Sequence, residues 1–549
     1  MARNNDRKSV SRRSFIKGAA VGTGVIATAS TGLLKEPSAE AQVVGCEYPF
    51  EVPPPPIPAS EIKETVSSDL VIAGAGASGI CAALSAAQAG AKVIVIEKGN
   101  TFMAHGHHNA AIDSRLQKKL GLKIDKDEVV AVLMREMGNM PDQRLIKMWA
   151  DNSGKAIDWV LDLCDAAGLE STVDANLKGI DPKFWPVGIL NGSGEFFKQY
   201  PSAHIFKAWN EGMMKVLVDN AVKTGVDIRY KHPAVQLVRE GGKSGRVTGI
   251  IAKPDTGYRR FNAKAVVLCT GDYGHDTKMI QKYCPWVQNV TGVNMYTPPL
   301  NTGDGQKMGL WIGSAIDEIP HTSMIFGQDQ KAPLHAVPFL QVDIFGERIM
   351  NEDQPIPQLG AAWLRQPTHE VWQVFDEKWT EEAPKMGPGF GRVAEITPQI
   401  LSQMKLAITK GTVLTADTLD ELIKKMNVPA QTFKATVARY NELARSKKDP
   451  DFGKRGDRMS TIEKPPFYAV KRSAQFFVTL GGLKVNTKLQ VLDTERKVIP
   501  GLWAAGNVSG GFFGGEYYPM LVYGLSHGRA ITFGRIVGLN AAAAVKVGA

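Results

Sequence analysis

Residues 69–97 carry the first chemistry that can be read in the chain. Asp69-Leu70-Val71-Ile72-Ala73 is a short apolar run, Gly74-Ala75-Gly76-Ala77-Ser78-Gly79 follows it, and an Ala-rich helical stretch occupies 80–89. In a strand, glycine turn and helix of this spacing, Gly74 permits the tight turn and Gly76 lets a pyrophosphate reach the backbone. Gly79 lets the helix lie close on the strand, with the helix N-terminus toward the phosphates. A second apolar run, 91–96, ends at Glu97, where a carboxylate can accept both hydroxyls of an adenosine ribose. The unit predicts a dinucleotide site, and NAD and FAD fit it equally.

A further concentration of reactive groups is His105-Gly106-His107-His108-Asn109. Three imidazoles so close together could ligate a metal, attach a cofactor covalently, or hydrogen-bond a phosphate and a substrate, the last being the expected role. No matching carboxylate or cysteine cluster accompanies them, so the expectation is no metal site. The five cysteines, at 46, 81, 164, 269 and 284, are widely spaced and form neither C-x-x-C nor C-x-x-C-H. A disulfide framework, a zinc ribbon and a covalently attached haem are all excluded as motifs.

These groups need a large scaffold. The chain has 549 residues, 44% of them hydrophobic and 22% charged, with a mean hydropathy of −0.14. Such a composition excludes disordered, collagen-like and mainly transmembrane classes and predicts two to four domains. The net charge of +10 is interspersed, without a basic run interleaved with aromatics, so nucleic acid is not an expected partner.

The N-terminus reads as an address. Ser11-Arg12-Arg13-Ser14-Phe15-Ile16-Lys17 precedes the uncharged stretch 18–34 and the small-residue site Ala39-Glu40-Ala41. This resembles a twin-arginine signal peptide over 1–41, which implies export of the folded, cofactor-loaded protein to the periplasm or the extracellular space. Val43-Val44-Gly45-Cys46 is similar to a lipobox, although Lys35, Glu36, Pro37 and Glu40 separate it from the apolar stretch; peripheral membrane contact stays open. Val52-Pro53-Pro54-Pro55-Pro56-Ile57-Pro58 favours polyproline II, and 42–65 is expected to be a stiff tether.

Farther along, a series of motifs stands in a defined order: Ala265-Val266-Val267-Leu268-Cys269-Thr270-Gly271-Asp272-Tyr273-Gly274, Gly303-Asp304-Gly305-Gln306, and Glu347-Arg348-Ile349-Met350-Asn351-Glu352. Thr479-Leu480-Gly481-Gly482 and Gly501-Leu502-Trp503-Ala504-Ala505-Gly506-Asn507 complete it. Together with the first unit, these resemble the flavoproteins of the fumarate reductase and succinate dehydrogenase superfamily over about 66–540. The resemblance implies an α/β fold, with a discontinuous Rossmann-like FAD-binding domain (66–312 and 478–549) and an inserted α+β capping domain (313–477). It also implies non-covalently held FAD. The cofactor contacts it implies are Gly74, Gly76, Ala77, Ser78, Gly79, Glu97, Lys98, His105, Thr270, Gly271, Asp304, Gly506, Asn507 and Val522. A final helix over 524–539 is expected to aim its N-terminus at the flavin pyrimidine ring, where its dipole favours negative charge on reduced flavin.

The same family clamps a dicarboxylate with His and Arg, and there this sequence departs. Val478 stands where a histidine precedes the Thr-Met-Gly-Gly motif, Ile356 falls near the expected donor arginine, and Glu516-Tyr517-Tyr518-Pro519 replaces the arginine after the last glycines. His321 alone matches the family's cap histidine. A small dianion would therefore lose several charge-assisted hydrogen bonds, each worth about 1.5–3 kcal/mol. Phe476, Phe477, Phe512, Phe513, Tyr517 and Tyr518 stand instead, which suits a larger, flatter and less charged ligand. Tyr518-Pro519 also resembles the Tyr-Pro of 3-ketosteroid dehydrogenases, so Tyr518 and the Val522 amide are expected to polarise a carbonyl. His321 or Tyr517 would supply a proton, and Arg365 or Arg472 could replace the missing arginine.

The expected function is FAD-dependent reduction of an activated C=C bond in an α,β-unsaturated carboxylate or ketone other than fumarate. Electrons would come from a separate cytochrome or quinol-linked donor. The alternatives are a ketosteroid-type dehydrogenase running in the opposite direction, and a flavin electron carrier without its own substrate.

Overall fold

The computed structural model describes residues 48–547 apart from 104, 174–199, 291–294, 298, 328–331, 387–392 and 394. The expected signal peptide, the lipobox and Cys46 lie outside the described residues. Residues from Tyr48 onward form one compact unit.

Its centre is a sheet built on β1 (Ile62–Ala73), followed by α1 (Ala77–Gln88) and β2 (Val93–Ile96). β1 runs parallel to β2 on one side, with Leu70 opposite Val93 and Ala73 opposite Ile96. On its other side it runs parallel to β3 (Tyr258–Leu268), with Leu70 opposite Ala265. β6 (Val498–Ala504) extends the sheet beyond β3, and Asp227–Arg229 extends it beyond β2. Residues 70–73, 93–96 and 265–268 are buried throughout, which is why they read as continuous apolar runs: helices cover both faces of a parallel sheet. The chain leaves β1 toward β2 and returns to its other side at β3. That switch opens a crevice at the carboxyl ends of the strands, where ligands bind in such sheets.

Of the segment expected to be a tether, the part from Tyr48 onward is anchored at both ends. Phe50 is buried, its carbonyl accepts from Trp311 Nε1 at 2.8 Å, and Glu51 pairs with Lys282 at 2.5 Å. β1 begins at Ile62, ahead of the expected boundary at 66, because its outer half pairs with β3 as far as Tyr258. Between them, residues 53–56 are exposed.

β4 (Ser323–Phe326) and β5 (Gln475–Thr479) pair as an antiparallel ribbon. The chain between them builds a four-stranded antiparallel sheet in the order Leu340–Val342, Glu370–Asp376, Phe467–Ser473, Val413–Ala416. This sheet and its helices have an apolar cluster of their own, centred on Leu422, Phe433 and Val437.

The last helix, α2 (Leu525–Lys546), runs beyond the expected 539 because the alanines at 541–544 continue it. It lies on α1 almost backbone to backbone: a Cβ on Gly534 would stand 2.5 Å from the Ser78 carbonyl oxygen, and one on Gly538 would stand 2.3 Å from that of Ala82. No side chain fits there, which accounts for the small residues on both helices. Gly538→Val is expected to lower stability by about 3 kcal/mol through overpacking. The urea midpoint checks this; an unchanged midpoint would mean that the helices part without cost.

Candidate active site

The strand ends, the 105–109 loop, the β4–β5 ribbon and the start of α2 enclose a cavity of about 430 Å³, of the size that holds small-molecule ligands. Gly74, Gly76, Ala77, Ser78, Glu97, Lys98, His105, Thr270, Gly271, Asp304, Gly506 and Asn507 all line it. Gly79 sits behind the turn, where a Cβ would meet the Gly74 carbonyl oxygen at 1.9 Å. Gly74 itself, at φ +109, has no room for a side chain, since its Cβ would be 2.2 Å from the Cys269 carbonyl oxygen. A Cβ on Gly76, by contrast, would meet nothing within 4 Å, and α1 begins there without a side-chain cap. Its first amides are thus open to a phosphate.

Glu97 is fixed by its own turn, with Oε2 accepting from the Ala75 amide at 2.8 Å and Oε1 from the Gly99 amide at 2.7 Å. Lys98 Nζ is tied to Asp304 Oδ2 at 2.8 Å and Thr302 Oγ1 at 3.0 Å. Thr270 Oγ1 and His105 Nε2 are buried without a partner in the cavity wall. Open helix amides, a pre-set ribose carboxylate and unsatisfied polar atoms together fit an FAD molecule.

The histidine loop meets a residue that sequence reasoning missed. His527, in the first turn of α2, lines the cavity half-buried and contacts Asn210 Nδ2 through Nδ1 at 3.2 Å, and Asn210 also donates to the His105 carbonyl at 2.9 Å. A Cβ on Gly106 would be 2.9 Å from His527 Nε2. Burial, followed by the neighbouring imidazoles, pulls His527 down to about 4. Burial likewise lowers His105 and His107. These rings are neutral hydrogen-bonding groups at pH 7, and among the described residues no group of His, Cys, Asp or Glu is arranged to hold a metal.

Tyr518 lines the cavity and is otherwise buried. Its oxygen accepts from the Ser526 amide at 3.1 Å, and burial raises its pKa. It is a phenol at pH 7, with its proton free to donate and a helix N-terminus behind its oxygen. Val522 does not line the cavity; it is fully buried and bridges to Tyr200, so the expected second donor is absent from this wall. A bulge shapes the wall beside Tyr518, whose ring lies 6.4 Å from that of Phe326. The register between β4 and β5 shifts after Met324 opposite Val478, so that Ile325 faces Phe476. Phe477 is the extra residue, and Phe477 and Val478 both reach the cavity. Phe477 stacks on Tyr296 at 4.3 Å and lies 4.6 Å from Phe326.

The other catalytic expectations are corrected. His321 is buried away from the cavity: its Nε2 bonds the Asp317 carbonyl at 2.9 Å, and its Nδ1 meets the Tyr273 hydroxyl at 2.6 Å. With a carbonyl accepting from Nε2, Nδ1 is the acceptor from Tyr273, and no nitrogen is left for substrate. Tyr517 stands outside the wall, with its hydroxyl held by Arg365 Nη2 at 2.6 Å. Arg472 is fully buried on Gln373 Oε1 and the carbonyls of Ala332 and Pro333. Among the described residues, no arginine lines the cavity. Phe476, Phe512 and Phe513 are core residues.

Asp272 is a buried acid in the wall. Its Oδ1 accepts from the Gly274 amide at 2.6 Å and its Oδ2 from Asn301 Nδ2 at 2.8 Å. Burial nevertheless pushes it up to about 7.

A family described as an FAD binding domain matches residues 69–518, and the chain belongs to it. Over 501 residues the chain is 30% identical to a fumarate reductase (cytochrome) of Shewanella frigidimarina, covering 88% of this chain and 78% of that protein. It is 27% identical over 504 residues to a vinyl phenol reductase of Lactiplantibacillus plantarum, covering 87% and 96%. Its fold is similar to that of a flavocytochrome c3 fumarate reductase in an open conformation (TM-score 0.65, 24% identity, 89% and 80% covered). It is also similar to a 3-ketosteroid Δ4-(5α)-dehydrogenase of Rhodococcus jostii (TM-score 0.68, 24% identity, 88% and 99% covered). The protein is an FAD-dependent oxidoreductase acting on CH–CH groups.

Two outcomes test this site. Gly76→Ala is expected to unfold within about 1 kcal/mol of the parent yet to lose FAD on gel filtration, whereas Gly79→Ala should lose about 2–4 kcal/mol. Equal FAD retention in Gly76→Ala would remove the phosphate role. For Asp272, the folded state holds its proton more tightly than the unfolded chain, where the ordinary value is 3.8. The stability this contributes is full below pH 3.8 and lost as pH rises through about 7. Asp272→Asn should flatten that decline by on the order of 2 kcal/mol. Urea midpoints across this pH range that still follow the parent would assign the titration elsewhere.

Proposed function

We propose that the protein reduces the C=C bond of a flat α,β-unsaturated ketone or carboxylate carrying at most one negative charge, and not fumarate. The observation that carries this reading is the composition of the wall. Tyr296, Phe326, Phe477 and Tyr518 form an aromatic end, while among the described residues no arginine lines the cavity. The lysine that does is bound to Asp304. A dianion would enter without a fixed partner for either carboxylate. A planar conjugated molecule would stack on the Tyr296 and Phe477 faces. The vinyl phenol reductase among the relatives fits this preference better than the fumarate reductases do.

When bound, FAD supplies the two-electron hydride chemistry of the reaction. Tyr518 donates its hydroxyl proton in a hydrogen bond to the substrate carbonyl, and the Ser526 amide steadies the phenol oxygen. As the β-carbon is reduced, negative charge gathers on that carbonyl oxygen, and the O–H bond to it strengthens. The apolar rings keep water from the conjugated system. The segment between β4 and β5 acts as a cap that moves on the ribbon to admit substrate.

The twin-arginine motif supports export, and the lack of C-x-x-C-H supports a separate cytochrome or quinol-linked donor. The Tyr-Pro segment and the likeness to a ketosteroid dehydrogenase keep the reverse reaction as the second reading.

The test is anaerobic. Photoreduced holoprotein is mixed with enones, cinnamates, vinyl phenols and fumarate while flavin reoxidation is followed. Fast reoxidation by a flat, conjugated substrate, little by fumarate, and about a hundredfold slower turnover in Tyr518→Phe are expected. Fumarate as the best oxidant would overturn the reading. Bleaching of oxidised protein by a saturated ketone would favour the dehydrogenase, and silence in both directions would favour a carrier.

A further inference from the structure

Arg529, in the second turn of α2, is a buried cation that the site as described does not use. Its side chain is fully buried between the rings of Phe512 and Phe513, with the guanidinium carbon 5.4 and 5.1 Å from their centroids. Nη2 donates to Asn507 Oδ1 at 3.0 Å and Nη1 to the Ser509 carbonyl at 3.2 Å. Nε has no partner, and among the described residues Arg529 forms no ion pair. The acid that acts on it is Asp317, whose carboxylate is itself spent on the amides of Gly482 and Gly511. A buried charge of this kind costs several kcal/mol unless an anion compensates it.

The surroundings indicate where that anion stands. Asn507, held by Arg529, lines the cavity and also takes the Ser526 hydroxyl at 3.3 Å. The Ser526 amide in turn holds the Tyr518 oxygen. Phe513 packs on both Arg529 and Tyr518, the latter at 5.7 Å between ring centroids. The guanidinium is therefore one ring and one amide removed from the phenol, and the N-terminal end of α2 adds positive potential from the same side.

We propose that Arg529 is the fixed cation of this active site, a positioning residue that makes the Tyr518 end of the cavity selective for an oxyanion: the enolate formed on a substrate carbonyl, or a phenolate. It acts through Asn507, the Ser526 amide and Tyr518, without touching the ligand. The charge that the sequence lacks at 516–519 is thus supplied from behind the wall, in a form that favours a single delocalised oxyanion over a dicarboxylate clamp. In line with this placement, the charge on Arg529 opposes part of the upward shift that burial imposes on Tyr518.

This inference rests on Tyr518 facing the substrate carbonyl, and the experiment separates the two. Oxidised holoprotein is titrated with 4-nitrophenol across pH, and the affinities of its phenol and phenolate forms are read from their distinct absorption bands. Parent protein should prefer the phenolate. Arg529→Met, close in shape but uncharged, should lose about tenfold in phenolate affinity with phenol affinity unchanged, and Arg529→Lys should keep most of the preference. The midpoint potential of the bound flavin is measured alongside.

An Arg529→Met protein that keeps the phenolate preference overturns the proposal. So does one in which only the flavin potential moves, since the cation would then serve the cofactor. If Arg529→Met does not retain FAD, Arg529→Lys decides: loss of the preference with the charge retained also overturns it. Tyr518→Phe tests the underlying reading alone. No effect there, together with a loss in Arg529→Met, would discard Tyr518 as the carbonyl contact and keep the cation.

Discussion

The near contact of two helix backbones organises the site. α1 and α2 approach so closely at Gly534 and Gly538 that their carbonyl oxygens occupy the places of side chains. This contact clamps the C-terminal helix onto the glycine turn that receives the cofactor phosphates. Ser526 and His527 are placed at the cavity and Arg529 behind its wall by that clamp, as is Tyr518 at the cavity through the Ser526 amide. The glycine turn and Tyr518 are about 440 residues apart in sequence, and α2 makes them one structure. Small residues are required along its length because the sheet is covered on this face by two helices at once.

Local sequence was enough wherever the chemistry is local. Strand, turn, helix, strand and acid between 69 and 97 are consecutive, and each glycine has a different physical reason that shows in the structure: φ at Gly74, open space at Gly76, a helix-to-turn contact at Gly79. Thr270, Asp304 and Asn507 were found by motif order, and all line the cavity because they end strands or open helices at the sheet's carboxyl edge. Tyr518, singled out by its neighbour Pro519, lines the cavity as well.

The residues that were misplaced share a cause. His321, Tyr517, Arg365 and Arg472 have suitable chemistry, but a motif gives position along the chain and not the direction of a side chain. His321 points into a polar knot with Tyr273 and Asp317, and Tyr517 points away from its neighbour Tyr518 because successive residues in extended backbone face opposite sides. The Phe477 bulge breaks that same alternation, so two adjacent residues reach one wall, which no period-two reading could give. His527 and Arg529 left no motif at all: in sequence they look like polar interruptions of an Ala- and Gly-rich helix.

Substrate charge is then a question of where the protein keeps its own cation. An arginine in the cavity wall pairs with a carboxylate through paired hydrogen bonds and selects for ground-state charge. A guanidinium placed behind a phenol and an amide offers no such pairing, and its field is felt by whatever oxygen sits at the Tyr518 hydroxyl. That field stabilises negative charge on this oxygen, so the charge that gathers there during reduction is stabilised more than the neutral carbonyl of the bound substrate, which is the condition for lowering a barrier instead of only tightening binding. The desolvation cost of burying Arg529 is met in the folded protein, before substrate arrives. The rings of Phe512 and Phe513 around the guanidinium, with Phe513 reaching on to Tyr518, keep the dielectric between them low enough for a cation that touches no ligand to matter.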